Sequence, residues 1–455
     1  MKEVTIAVIV LLFAIPVLSQ HDHSDIEGPF QTPQEVTETC LMCHEGVDHD
    51  LKQSRHWNWL GEEFTGKDGL QQRVGKQTII NNFCIAVASN WPRCTSCHIG
   101  YGWKDQSFDF SNGNNIDCLI CHDRTGTYKK VPTGAGIPDP SVDLLKVAQN
   151  VGKTSNENCA VCHFNGGGGT GVKHGDLDGS MINPSPELDV HMGGLDFTCA
   201  TCHAGENHQI HGASHGSLAS GTNHIYCVDC HETRPHENKT LNDHMASIAC
   251  ETCHIPTFAR EEPTKVWWDW STAGDDREVL LDEYGKPLYD KKKGDFVWGK
   301  HVIPEYRWHN GQADYYQMGQ KIDPDNYVEL NVLSNDIHDL SAKITPFKLM
   351  RGKQIYDDQN QYLIVPKLFG EGGYWKTWDW NNASVLGMES VDLPYSGSFA
   401  FIETEMYWPI NHMVAPAKDA LKCTACHSKD GNGRLNWEML GYSGDPMKTG
   451  GRKTE

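Results

Sequence analysis

Apolar residues are scarce in this chain: 38% of its 455 residues are hydrophobic, too few for an ordinary core at this length. Cations are scarcer than anions, with 39 Lys and Arg against 60 Asp and Glu and a formal charge of -21. Such a surface disfavours nucleic acid and anionic membranes as partners, and it suits docking of a basic protein. Beyond the N-terminus no apolar run approaches the roughly 20 residues that span a bilayer. The N-terminal run, Thr5 to Leu18 behind Lys2 and Glu3, is only 14 residues long and exits through Val17-Leu18-Ser19. It reads as a signal peptide over residues 1–20, so the mature chain is expected in the periplasm without stable membrane insertion.

Cysteine, by contrast, is abundant. Sixteen of the 17 cysteines fall into eight CxxCH motifs. These are Cys40-Cys43-His44, Cys94-Cys97-His98, Cys118-Cys121-His122, Cys159-Cys162-His163, Cys199-Cys202-His203, Cys227-Cys230-His231, Cys250-Cys253-His254 and Cys423-Cys426-His427. In this pattern two thiols add across the haem vinyl groups, and the adjacent imidazole becomes the proximal iron ligand. Eight covalently bound c-type haems are therefore expected. Zinc knuckles also pair cysteines, but they do not require a histidine after every second one. A disulfide framework would not repeat one spacing eight times.

Haem rings would supply the missing apolar mass, and without them no stable fold is expected. The predicted architecture is a mainly α plus irregular multihaem cytochrome with the haem array as its core. Seven motifs crowd residues 21–254, and the eighth lies in a C-terminal segment, 411–455. Between them, residues 255–410 form a haem-free insertion that holds nine of the fourteen tryptophans. Large aromatics mostly pack, so this cluster is expected in a core walling a cleft. Two hairpins are predicted there, one turning between Leu281 and Leu288, the other between Tyr356 and Tyr362. Pro33 to Leu60 looks helical, and Gly166 to Gly169 must be loop.

Eight proximal histidines leave sixteen of the 24 for distal positions. A haem that only transfers electrons is usually six-coordinate, whereas a catalytic one keeps an open or labile site. By their context, His23, His56, His191, His208, His236, His244 and His412 are the distal candidates. His208 is preferred within the run 207–215. His301, His309 and His338, in the insertion, are expected to be structural.

At this point the sequence resembles the octahaem tetrathionate reductase family of periplasmic cytochromes, relatives of multihaem nitrite reductases and hydroxylamine oxidoreductases. The resemblance rests on the motif spacing with its long final gap and on Ser54-Arg55-His56-Trp57-Asn58-Trp59. It rests also on Gly166 to Gly169 followed by Lys173-His174-Gly175-Asp176, on Asp189-Val190-His191-Met192 and on Ala249 to Pro256 around the seventh motif. It implies one catalytic haem, the second, with His98 beneath it and Lys173 as its distal ligand; Lys153 is the alternative lysine. Family members often carry an acid where this chain has Thr170. Cys84, outside every motif and ten residues before the second, is expected to line the active cleft.

A protonated ammonium has no lone pair, so a ligating Lys173 must be neutral. An anion could displace it, and the freed ammonium would become its charge partner and proton donor. On so acidic a protein, an oxyanion substrate needs cations gathered locally, with Lys173 and Arg93 as candidates. Two functions remain open on sequence grounds. One is a reductase of tetrathionate, nitrite or hydroxylamine, supplied by a periplasmic or membrane-bound donor cytochrome; the other is a conduit with every iron saturated. Hydroxylamine oxidation would need a tyrosine cross-linked to haem, of which the sequence carries no mark.

Overall fold

The computed structural model describes residues 22–61, 63–65, 71–212, 224–431 and 433–452; the signal peptide expected at 1–20 lies outside them. Among the described residues no helix is long and apolar enough to cross a membrane.

The first half is built of short helices and turns. Pro33–Leu41 starts where Thr32 accepts from the Glu35 amide and proline occupies the first turn. The helical stretch expected to run to Leu60 is divided in three. Gly46, at φ 81°, admits a left-handed break before Val47–Gln53. Ser54 then turns extended and caps Arg55–Asn58, its hydroxyl accepting from the Trp57 amide at 3.2 Å. Short helices also carry the CxxCH motifs, as in Leu119–His122, Asn156–His163, Cys250–His254 and Cys423–Cys426. No two of the 17 cysteines are joined to each other, so no disulfide staples the fold.

The stretch without motifs is more regular than two hairpins. It forms an eight-stranded mixed sheet around the long strand Lys343–Asp357. That strand pairs antiparallel with Phe399–Pro409 on one side and parallel with Thr264–Asp269 on the other, and Glu305–His309 also pairs with it. Both expected hairpins are present: Leu281 bridges Pro287, and Tyr356 pairs with Leu363. Several of the tryptophans pack as a core, with Trp268 and Trp270 stacked 5.0 Å apart and both buried, and Trp408 buried on the far side of Lys343–Asp357, in Phe399–Pro409, while Trp378 is exposed.

Strand alternation puts Lys348, Met350, Gly352 and Gln354 on one inward face. Two distant segments dock there. Asn82 donates to the Met350 carbonyl at 2.6 Å, and Gln354 donates to the Asn81 carbonyl at 3.0 Å. The segment after the glycine loop is held by Lys348 and Thr264. One sheet face thus fixes the surroundings of both Cys84 and Lys173.

Candidate functional site

Seven of the eight motif histidines face a second histidine. Ring centroids lie 6.1 Å apart for His23 and His44, 6.1 Å for His56 and His163, and 6.5 Å for His208 and His122. They lie 6.0 Å apart for His191 and His231, 6.2 Å for His412 and His203, 6.1 Å for His236 and His254, and 6.2 Å for His244 and His427. Metal–nitrogen bonds of about 2 Å on each face, plus roughly 1 Å from nitrogen to ring centre, put two imidazole centroids about 6 Å apart. Every pair therefore fits an iron between its rings. Zinc knuckles would instead converge several ligands, and among the described residues no group of three His, Cys, Asp or Glu does so.

Hydrogen bonds fix which nitrogen of these rings is available. The Nδ1 atoms of His122, His203 and His244 donate to the Gly152, His211 and Thr240 carbonyls at 2.8, 2.9 and 2.7 Å. Those of His412 and His427 meet carboxylates instead, Asp176 at 3.1 Å and Asp445 at 2.6 Å. In each case Nε2 is left to ligate, with its ring held by the outer partner.

The motifs also abut one another. Thiols face each other across Cys40 and Cys118, Cys97 and Cys162, Cys159 and Cys199, and Cys227 and Cys250. Cys121 neighbours Cys159, Cys202 neighbours Cys230, and Cys253 neighbours Cys426. The contacts link motifs 1, 3, 4, 5, 6, 7 and 8 in a line, and motif 2 joins at motif 4.

His98 is the exception among the motif histidines. It is fully buried in an aromatic box, with ring centroids 4.9 Å from Trp103, 5.0 Å from Trp57 and 5.5 Å from Trp59. Its Nε2 lies 2.7 Å from the Trp57 carbonyl, and its Nδ1 has no partner. Burial lowers its pKa to about 3, which keeps the ring neutral; with Nε2 donating to the carbonyl, the lone pair lies on Nδ1. A cavity of about 460 Å³ opens beside this box, lined by Trp91, Trp103 and Phe110 among others.

Lys173 lies close to Cys97 of this second motif, to Cys84 and to Lys76. Its Nζ sits 4.6 Å from the Trp408 ring. Burial first, and the Lys76 ammonium second, push its pKa down to about 7, so a neutral amine is accessible near neutral pH. Cys84 is presented by a turn in which the Asn81 side chain accepts from the Phe83 and Cys84 amides, both at 3.0 Å. Lys265 also neighbours Cys84. Its ammonium lies 3.0 Å from the Phe296 centroid and 4.0 Å from that of Trp268, and burial lowers its pKa to about 6.

The other candidates lie elsewhere. Lys153 is exposed, unlike Lys173. Arg93 stacks 5.0 Å over Trp375 beside Cys94. Thr170 accepts from the Gly179 amide. His301 and His338 are exposed, whereas His309 is buried against Phe347. Sequence reasoning missed Lys76, Lys265, Lys348 and Asn81. No local motif marks them, because strand pairing and turn docking bring them to Lys173 from far along the chain.

A family model described as bacterial cytochrome c matches residues 265–430, the sheet together with the eighth motif. Among solved structures, the octahaem cytochrome c of Shewanella oneidensis is 50% identical, with a TM-score of 0.88, over 94% of this chain and 98% of its own. The chain belongs to the octahaem tetrathionate reductase family. Comparison with curated proteins finds no match. As a member of that family, the chain is a c-type haem oxidoreductase with covalently bound haems.

Proposed function

We propose that this octahaem cytochrome is a periplasmic reductase of small sulfur or nitrogen oxyanions. It would take tetrathionate to thiosulfate, and nitrite and hydroxylamine would also be substrates. Eight c-type haems make up its core, seven held by the histidine pairs above and the second held by His98 and Lys173. The observation that carries the reading is the asymmetry of the pairs: seven motif histidines meet an imidazole, whereas His98 belongs to the motif whose Cys97 lies near the half-buried Lys173.

Haem iron supplies electrons and a coordination position; the chain's residues supply the rest. Neutral Lys173 offers a lone pair, and displaced it takes up a proton and faces the anion as an ammonium. Lys76 adds positive potential to a cleft on an otherwise acidic molecule, which concentrates an oxyanion where the net charge of -21 would repel it. With haems held at these motifs, the line of abutting motifs would offer electrons a route to motif 4 and so to motif 2. The acidic exterior favours a basic donor cytochrome as partner, and its encounter would be salt-sensitive.

Steady-state reduction of tetrathionate, nitrite and hydroxylamine by the holoprotein and its Lys173→Ala variant tests the assignment. The expected loss is largest where protons are consumed: nitrite reduction to ammonium takes up protons, whereas tetrathionate cleavage to two thiosulfates takes up electrons alone. A loss of about 100-fold for nitrite is the scale of one positioned proton donor. Unchanged rates on all three substrates would remove Lys173 from the mechanism.

A further inference from the structure

Lys348 lies midway along the longest strand with 0% of its surface exposed, and no carboxylate is among its hydrogen-bond partners. An ammonium has three donors. Lys348 has three acceptors: the Val172 carbonyl at 2.8 Å, the Lys173 carbonyl at 2.9 Å and the Thr264 hydroxyl at 2.5 Å. Thr264 donates in turn to the Gly171 carbonyl at 2.7 Å. One lysine–threonine pair therefore holds three successive carbonyls of the strap that bears Lys173.

The neighbours of this network point the same way. Trp408, directly across the ladder from Lys348, lies beneath the Lys173 amine and also meets His174 at 5.3 Å. Gly175, at φ 81°, ends this part of the strap; a Cβ there would come within 2.9 Å of Phe258. A buried ammonium is costly unless its hydrogen bonds are complete, and an apolar side chain would fill the same place in the sheet. Both backbone acceptors of Lys348 belong to the strap, and Thr264, the third, binds the strap as well.

We infer that Lys348 is a positioning residue: it fixes the backbone from which Lys173 reaches its iron, so that an incoming anion displaces the side chain and leaves the strap in place. This rests on the reading of Lys173 as a displaceable distal ligand. The test uses the ferric holoprotein, with electron paramagnetic resonance of the second haem and the rate of cyanide binding as readouts. In Lys348→Met the full haem mass should be retained, the signal of the lysine-ligated haem should be replaced in part by a high-spin one, and cyanide should bind about tenfold faster. Thr264→Val, which removes one acceptor and one donor without changing volume, should move both readouts in the same direction by less, and it serves if Lys348→Met fails to accumulate. Lys173→Ala separates the two claims. If that variant leaves the second haem's signal unchanged, the ligand reading fails; if it alters the signal while Lys348→Met and Thr264→Val match wild type, the positioning role of Lys348 is overturned.

Discussion

A histidine ligand is tuned by what its other nitrogen touches, and this chain uses two kinds of partner. Backbone carbonyls orient His122, His203 and His244, whereas carboxylates face His412 and His427. An anionic acceptor makes the imidazole more basic and stabilises the ferric state. Asp445→Asn should therefore raise the potential of the eighth haem by tens of millivolts and leave the others in place, as read by a spectropotentiometric titration; an unshifted titration would count against ligation by His427. Asp176 has a further connection, because it lies three residues after Lys173 and also accepts from the Asn411 and His412 amides. The pairing of the histidines was legible in the sequence, because CxxCH is a local pattern and the second histidine of each pair stands out once the motif ones are counted. Lys265, beside Cys84, and Lys348, beneath the Lys173 backbone, were not, since both sit in strands whose alternation says only that they point inward.

Elements explain how such distant residues meet. The hairpins at Leu281–Pro287 and Tyr356–Leu363 were readable because their turns are set by neighbouring residues: Asp357 accepts from the Asn360 amide at 2.8 Å. The eight-stranded sheet was not, because Lys343–Asp357 pairs with strands on both sides of it in sequence, and no local signal specifies such pairing. That sheet carries the Cys84 turn through Gln354, which donates to the Asn81 carbonyl and accepts from Thr404 at 2.8 Å. Gln354→Ala should cost about 1–3 kcal/mol by leaving buried groups unpaired. It should also loosen the turn, so that maleimide labels Cys84 several-fold faster in the holoprotein. With sixteen cysteines committed to haem, mass spectrometry would report a single label per chain; an unaltered rate would mean that the sheet does not hold this turn.

At the scale of the whole molecule, a polypeptide poor in apolar residues carries covalently bound c-type haems that it does not encode. Its described residues make a tryptophan-rich sheet and a set of short helices, and the abutting CxxCH motifs form a continuous line with one branch. The branch is the second motif, where among the described residues no imidazole pairs with His98 and the half-buried Lys173 stands near Cys97. The measurement that reaches this most directly is quantitative electron paramagnetic resonance of the ferric protein titrated with nitrite. The account predicts that one haem in eight changes its signal, that the rest keep bis-histidine spectra, and that Lys173→Ala alters the same single haem before any nitrite is added. No nitrite-dependent change, with all eight haems already saturated by histidine, would contradict it and leave an electron conduit in place of a reductase.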